Sequence, residues 1–357
     1  MQIRKRNGQL EAYDSEKIRQ AVLSAFESVQ CSPDRLDEIL QAVEARMEKA
    51  RQQGTVGVEQ IQDMAEQSMM EAGCYEALKS FILYRDLHAR ERRARQELCA
   101  WFTDLPQLEE LLKEIRRKWK TAAYSMELLQ LKFQAFYKSG MKNEEKLSAL
   151  IQAAVELTTK EAPDWEYIAA RLLLLRFRIG LEKREEELQL DSFYQKIRYL
   201  TEENLYGSYI LENYTKEEID ECASFMDRSR DELFNYSGLE LLLSRYVIRS
   251  RDNVVIEAPQ EMYLGIALHL AMREQKNRLD WVRRFYDMLS TLKVTMATPT
   301  LSNARKPYHQ LSSCFIDTVP DSLDGIYRSI DNFAKVSKFG GAQPSGNYAM
   351  SNKFASI

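Results

Sequence analysis

The chain has 357 residues, of which 45% are hydrophobic and 29% charged, and its formal net charge is −4. This composition is typical of a core-forming globular protein with two or three domains. It excludes a globally basic nucleic-acid-binding surface, and no apolar run has membrane-spanning length. The charged N-terminal segment lacks the apolar core of a secretory signal, and the five widely spaced cysteines suit a reducing cytoplasm. Together with the charge and the lack of a spanning segment, this leads us to expect a cytoplasmic protein without nucleic-acid or membrane partners.

The cysteines and histidines form no recognisable ligand pattern. Five widely spaced cysteines without a CxxC pair argue against a disulfide framework or a zinc finger. Three scattered histidines add no ligand cluster. We therefore predict that this chain binds no metal of its own.

The first predicted element is a β-hairpin at "QIRKRNGQLEAYD", residues 2–14. Asn7-Gly8 is the strongest short turn signal, and it lies between two short alternating segments. Asp14 and Ser15 then offer caps for an amphipathic helix. Gly and Pro are sparse between residues 15 and 295, and most of this region has helical periodicity.

Two long helical segments, residues 59–93 and 145–184, resemble each other. Each predicts a helix, a short break, and an aromatic-led apolar helix that ends in basic residues. Tyr75 and Tyr167 occupy equivalent places in them. We expect a duplicated helical module of about a hundred residues per copy, whose second copy lacks the hairpin.

Towards the C-terminal end the predicted elements change. Residues 246–259, "YVIRSRDNVVIEAP", predict a strand pair with its turn at Asp252 and Asn253. Residues 293–304 and 310–319 predict short extended segments rich in Thr, Ser and β-branched residues. Residues 322–338 predict a helix capped by Asp321. The order is typical of the entry into an α/β domain.

The residues alone leave the chemistry of these segments open. Cations around the hairpin turn and the following helix N-terminus attract phosphate, although a solvated charged hairpin is the commoner case. Hydroxyls near Cys314 either satisfy strand ends or converge on an anion. A lone cysteine is most often a buried filler, and Gly340-Gly341 favours a helix end and a turn over a phosphate loop.

Several segments together resemble one family. "IRKRNGQLEAYDSEKI" and "YEALKSFILYR" resemble the start and the end of an ATP cone, the allosteric nucleotide-binding domain of ribonucleotide reductases. Residues 162–178 resemble the last helix of a cone. Residues 211–272 and 283–326 resemble the helical body and the first barrel segment of the class I α subunit. Arg305 stands where the family often has Gly, which we interpret as a minor variation.

The resemblance implies a mainly α fold with six segments. They are an ATP cone (1–95), a helical linker (96–118), a degenerate second cone-like helical module (119–190), a helical domain (191–295), the first strands of an incomplete ten-stranded α/β barrel (296–341) and a divergent tail (342–357).

The resemblance also implies roles for particular residues. The cone's contacts to ATP or dATP, which Mg²⁺ accompanies, would be made by Lys5, Arg6, Glu11, Lys17 and Ile18. In the barrel segment Thr298 and Ser313 would hold the substrate's phosphates, Cys314 would be one of two redox thiols, and Asp321 would belong to the effector site that selects the substrate.

The implied activity is the reduction of ribonucleoside diphosphates to deoxyribonucleotides, activated by ATP and inhibited by dATP. It implies an α homodimer with the helix at 322–338 in its interface, a β subunit that supplies the radical cofactor, and a thioredoxin- or glutaredoxin-type reductant. The family's thiyl-radical cysteine and second redox cysteine have no counterpart in this sequence. We therefore expect an N-terminal portion of the α subunit that is inactive alone.

Two alternatives remain open on the sequence. One is a stand-alone regulatory protein that binds ATP or dATP and acts on a complete α subunit. The other is a helical interaction protein without a ligand.

Overall fold

The computed structural model describes residues 2–5, 8–52 and 54–338. Predictions that concern Arg6, Asn7, the Gly340-Gly341 turn and the tail at 342–357 lie outside these residues. The described structure is mainly helical and contains one two-stranded sheet. None of the described helices is both long and apolar enough to cross a membrane.

The predicted hairpin is confirmed. Strand β1 (Gln2–Arg4) pairs antiparallel with β2 (Leu10–Ala12), which sets Ile3 opposite Glu11. The amide of Gly8 donates to the Lys5 carbonyl at 2.9 Å, and Gly8 has a φ of 85°. Residues with a Cβ are strained at such a φ, so glycine is required in this turn.

The chain divides into two compact units, and the first comprises residues 1–101 and 125–130. It contains the hairpin and four helices: α1 (Ser15–Ser28), α2 (Leu36–Arg51), α3 (Val58–Glu71) and α4 (Tyr75–Ala100). Asp14 caps α1 as predicted, because its carboxylate accepts from the Glu16 amide at 3.0 Å. Each helix contributes apolar residues to one core, among them Val22, Phe26, Ile39, Val43, Ile61, Met69 and Phe81.

The second unit comprises residues 102–124 and the chain from 131 onward. Helix α6 (Met126–Phe136) begins among residues of the first unit and ends among residues of the second. Its other helices are α5 (Pro106–Lys118), α7 (Asn143–Glu156), α8 (Trp165–Leu188), α9 (Phe193–Glu202), α10 (Tyr209–Asn213), α11 (Lys216–Ser224), α12 (Tyr236–Arg245), α13 (Pro259–Ala271), α14 (Arg278–Ser290), α15 (Thr298–Asn303) and α16 (Leu323–Lys338).

The two similar sequence segments both fold as helix, break and helix, as predicted: α3 with α4, and α7 with α8. Their surroundings differ. Leu83 on α4 is 60% exposed, whereas Leu173 and Leu174 on α8 are buried. The apolar residues of α8 are buried because α5, α7 and α12 all pack against this helix.

The C-terminal predictions need correction. Residues 298–303, predicted as extended, form helix α15, since Pro299 lies in the first turn, where its fixed φ suits a helix. Residues 310–319 form no strand and have bridge positions only at Cys314 and Asp317. The barrel strands therefore stay a prediction.

Two further details differ from the predictions. The strand pair at 246–259 is reduced to one antiparallel bridge, Arg249 with Val255, although Asn253 does lie in its turn with a φ of 63°. A capping bond of α16 comes from Ser322, which was not predicted as a cap: Ser322 Oγ accepts from the Gly325 amide at 3.1 Å.

Candidate functional site

The predicted nucleotide residues of the hairpin gather around Glu11. Lys5 forms an ion pair with the Glu11 carboxylate, and Lys17 Nζ lies 3.2 Å from Glu11 Oε1. The side chains of Lys5 and Lys17 are 46% and 66% exposed. Such exposed ion pairs contribute only about 0–1 kcal/mol to stability. Another anion, such as a polyphosphate, can therefore bind both ammonium groups with little loss of stability.

Helix α1 borders a cleft along its length. A cavity of about 480 Å³ lies between α1 and α4, and its lining includes Lys17, Ala21, Ser24, Phe81 and Tyr84. This volume is within the usual range for small-ligand sites. The lining combines apolar and hydroxyl side chains with the carboxylates of Asp14 and Glu16. Among the described residues predicted to contact the nucleotide, only Lys17 both lines the cleft and pairs with Glu11.

Ile18 and Tyr13 connect this cluster to the core of the first unit. Both are half-buried and pack against that core. Burial, followed by the nearby Glu44 and Asp14 carboxylates, raises the pKa of the Tyr13 hydroxyl. Tyr13 therefore stays a neutral hydrogen-bonding group across the physiological range.

The predicted residues of the barrel segment form two contacts. Thr298, exposed at the start of α15, has its Oγ1 at 3.2 Å from the Tyr246 hydroxyl. The Ser313 hydroxyl donates to the Cys314 thiol at 3.7 Å. Cys314 is an exposed free thiol, so it is not the buried filler that a lone cysteine most often is, and its redox role stays a prediction. Asp321 is exposed just before α16.

A buried ion pair behind α15 escaped the sequence interpretation. The side chains of Arg305 and Glu257 are both 0% exposed. Arg305 Nε lies 2.6 Å from Glu257 Oε1, and Arg305 Nη2 lies 2.5 Å from Glu257 Oε2. Glu257 also accepts from the Tyr206 hydroxyl and from the Ile248 amide. Arg305 is thus a structural residue, contrary to our view of it as a minor variation.

This cluster holds its protons in one arrangement. Burial by itself lowers the pKa of the Arg305 guanidinium, but the charge and hydrogen bonds of Glu257 more than reverse the effect and raise it. Burial, followed by the Glu257 charge, raises the pKa of Tyr206 well above its ordinary value. Tyr206 consequently remains a donor to Glu257.

Two family models match this chain. The ATP cone domain matches residues 1–90, and the all-alpha domain of ribonucleotide reductase matches residues 232–309. The ribonucleoside-diphosphate reductase subunit alpha of Treponema pallidum (strain Nichols) is 51% identical over 347 residues, which cover 96% of this chain and 41% of that protein. The chain belongs to the ribonucleotide reductase α-subunit family.

Other α subunits are more distant. That of Chlamydia muridarum is 33% identical over 360 residues, covering 91% of this chain and 34% of the relative. The ribonucleoside-diphosphate reductase 1 subunit alpha of Escherichia coli (strain K12) is 32% identical over 204 residues, covering 57% of this chain and 26% of the relative. The chain spans about two fifths or less of the length of these curated relatives.

The matched regions contain both described clusters. Lys5, Glu11 and Lys17 lie within the ATP cone match, and Glu257 and Arg305 lie within the all-alpha domain match. Among the described residues of this α-subunit chain, no group of three or more His, Cys, Asp and Glu side chains is arranged to hold a metal ion.

A second buried polar cluster of this α-subunit chain surrounds His269. The Tyr209 hydroxyl donates to the Ala304 carbonyl at 2.6 Å, and it lies 2.9 Å from His269 Nδ1. Since the hydroxyl proton is already committed, Nδ1 carries the proton of a neutral imidazole and donates it to Tyr209. Burial, and then the neighbouring His309, lower the pKa of His269 to about 4.

Proposed function

We propose that the ATP cone of this chain binds ATP and dATP as allosteric effectors. The observation that carries the proposal is the Lys5–Glu11–Lys17 cluster at the hairpin, within the region that matches the cone. The nucleotide's phosphates would draw both ammonium groups away from Glu11, and Mg²⁺ would accompany the phosphates. Arg6 and Ile18 are proposed as further contacts.

The cleft between α1 and α4 supports the same assignment. It is large enough for a base and a ribose, and Ala21 and Tyr84 provide apolar surface for them. Lys17 joins the cleft to the phosphate-binding cations. We propose that the second cone-like module binds no nucleotide, because it has no counterpart of the Lys-Arg-x-Gly hairpin.

We further propose that the chain contributes substrate-binding and redox residues to the active site of a ribonucleoside-diphosphate reductase. Thr298 and Ser313 would hold substrate phosphates, and Asp321 would contact the specificity effector. Cys314 and a second thiol would become a disulfide as the C2′–OH bond of the ribose is replaced by C–H and water leaves. A β subunit would supply the radical, and a dithiol protein would reduce the disulfide.

An α homodimer is also proposed. Helix α16 exposes apolar residues at spacings of three and four, which place them on one face: Leu323, Tyr327, Ile330 and Phe333. An exposed apolar stripe of this kind is typical of a protein interface. We also propose that residues 296–341 form the start of the catalytic barrel in each subunit of this dimer.

Calorimetric titration of the chain with dATP and with ATP tests the effector proposal. We expect Lys5→Ala, Arg6→Ala and Lys17→Ala each to weaken binding roughly tenfold to a hundredfold, because each loses a charge-assisted contact. Lys49→Ala is the matched control, since it removes a cation from α2 in the same compact unit. Absent binding, or equal losses for the control, would contradict the cone assignment.

A reductase assay separates the enzyme proposal from the stand-alone regulator. With β subunit and dithiol, we expect no deoxyribonucleotide from these 357 residues alone, because Cys314 has no redox partner among them. The alternative predicts that adding the chain to a complete α subunit changes the dATP concentration needed for inhibition. No such change, with dATP still bound by the chain, would exclude the stand-alone regulator.

A further inference from the structure

We propose that the buried Glu257–Arg305 ion pair positions Tyr246, and that the Tyr246 hydroxyl joins Thr298 in holding the substrate's phosphate end. Glu257 and Arg305 are positioning residues, and Tyr246 is a binding residue. The inference rests on the proposed function, because the phosphate contact is assigned there to Thr298.

Arg305 connects the backbone of two segments. Its Nη1 donates to the Leu301 carbonyl of α15 at 2.7 Å, and its Nη2 donates to the Tyr246 carbonyl at 2.7 Å. The same guanidinium forms the two bonds to Glu257. Because the guanidinium is planar and its donors have a fixed geometry, these partners are held in one relative arrangement.

Tyr246 completes the connection on the other side. Its main-chain carbonyl accepts from Arg305, and its hydroxyl lies 3.2 Å from Thr298 Oγ1. Tyr246 is half-buried and Thr298 is exposed, so the hydroxyl pair is within reach of a ligand from solvent. Two adjacent hydroxyls can both donate to one phosphate group, whose oxygens are strong acceptors.

The support behind this pair is tightly packed. A Cβ on Gly265 would lie 2.9 Å from the Tyr206 hydroxyl and 3.0 Å from Arg305 Cδ, so even a methyl group would displace the cluster. The Ile248 amide fixes Glu257 from a further side, with a hydrogen bond of 2.8 Å. The backbone that carries Tyr246 and helix α15 is held in this way and loses little freedom when a ligand binds, which favours affinity.

The test is a titration of the chain with cytidine diphosphate, in which binding is monitored through the NMR signal of the Thr298 methyl group. In the wild type we expect a saturable shift of that signal. Tyr246→Phe removes only the hydroxyl, and we expect the Kd to rise roughly 3- to 10-fold, as for the loss of one hydrogen bond. Arg305→Lys keeps the charge but loses the planar fork, and we expect a Kd increase of at least the same size.

Arg171→Lys is the matched control. Arg171 is also a buried guanidinium, bonded to the Glu232 carbonyl at 2.8 Å and to its carboxylate at 2.9 Å, without contact to α15 in either bond. It should leave the Kd for cytidine diphosphate unchanged. An equal rise in this control would show a general loss of structure and overturn the positioning role.

The outcomes separate the inference from the proposed function. A wild-type Thr298 signal that does not respond contradicts the phosphate role of Thr298 itself, and the inference with it. A normal wild-type response with an unchanged Kd in Tyr246→Phe overturns only the role of Tyr246. An unchanged Kd in a folded Arg305→Lys, or in Glu257→Gln where the lysine variant does not fold, overturns the positioning role.

Discussion

Glu257 and Arg305 place two opposite charges where no solvent reaches them. Removing ions from water costs several kcal/mol each, and mutual attraction offsets this only with good geometry and full hydrogen bonding. Both conditions hold, because the guanidinium also bonds to two carbonyls and the carboxylate also accepts from Tyr206 and Ile248. The stability of the pair thus depends on both partners being present.

Removal of one partner is the informative change. We expect Arg305→Met to lower the free energy of unfolding by about 3–5 kcal/mol, because the Glu257 carboxylate is left buried and unpaired. Arg305→Met combined with Glu257→Gln should lose less, since the amide oxygen still accepts while the orphaned charge is gone. Urea unfolding of the single and double variants measures this. A double variant that is as unstable as the two single losses added together would contradict the explanation.

His269 makes a contribution to stability that depends on pH. Its pKa falls from 6.5 to about 4 in the folded protein, so between these values the unfolded chain binds more protons. The contribution is therefore complete above pH 6.5 and is lost as the pH falls towards 4. The corresponding free energy is about 3 kcal/mol.

A comparison with His269→Gln isolates this effect from the many carboxylates that titrate in the same range. At pH 7 the wild type should unfold at a higher urea concentration than the variant, because the variant loses the imidazole bond to Tyr209. At pH 5 the difference in unfolding free energy should shrink by about 1–2 kcal/mol. A difference that does not change between pH 7 and pH 5 would rule out the buried neutral histidine.

At the scale of single elements, local signals gave correct predictions where they were unambiguous. Asn-Gly specified the hairpin turn, and Asp14 specified the start of α1, because both act within a few residues. Helix α15 was mistaken for an extended segment because its Thr-rich composition favours strands. Pro299 in its first turn favours the helix instead, and Arg305 supports it by bonding to the Leu301 carbonyl, a contact that no local pattern reveals.

The cap of α16 provides a test at this scale. Ser322→Ala removes the acceptor for the Gly325 amide, so we expect about 1 kcal/mol less protection of the first-turn amides against hydrogen exchange. Ser322→Asp keeps an acceptor and should preserve the protection. Equal protection in all three proteins would show that Ser322 does not cap the helix.

At the scale of the whole molecule, a cluster was easier to predict from the sequence when its residues lie close together along the chain. The predicted cone contacts Lys5, Glu11 and Lys17 lie close together in sequence, so one short motif contains them, and the structure gathers them around Glu11. Glu257 and Arg305 are 48 residues apart. Glu257 follows a β-branched apolar run, which is the one sequence signal that hints at its burial.

The two helical modules that resemble each other differ in the elements around them. Both contain a helix, a break and a longer helix, but only the first has the hairpin with its cations. In the second, α8 is covered by neighbouring helices and serves as core. We therefore expect one effector nucleotide to bind in the cone and none in the second module.

Hydrogen exchange of the chain with and without dATP, read by mass spectrometry of its peptides, tests this claim most directly. We predict slower exchange in residues 2–18 and in the α4 residues that line the cleft, with no change in α7 and α8. Slower exchange in α7 and α8, or no change anywhere at saturating dATP, would contradict the assignment of the nucleotide to the first cone.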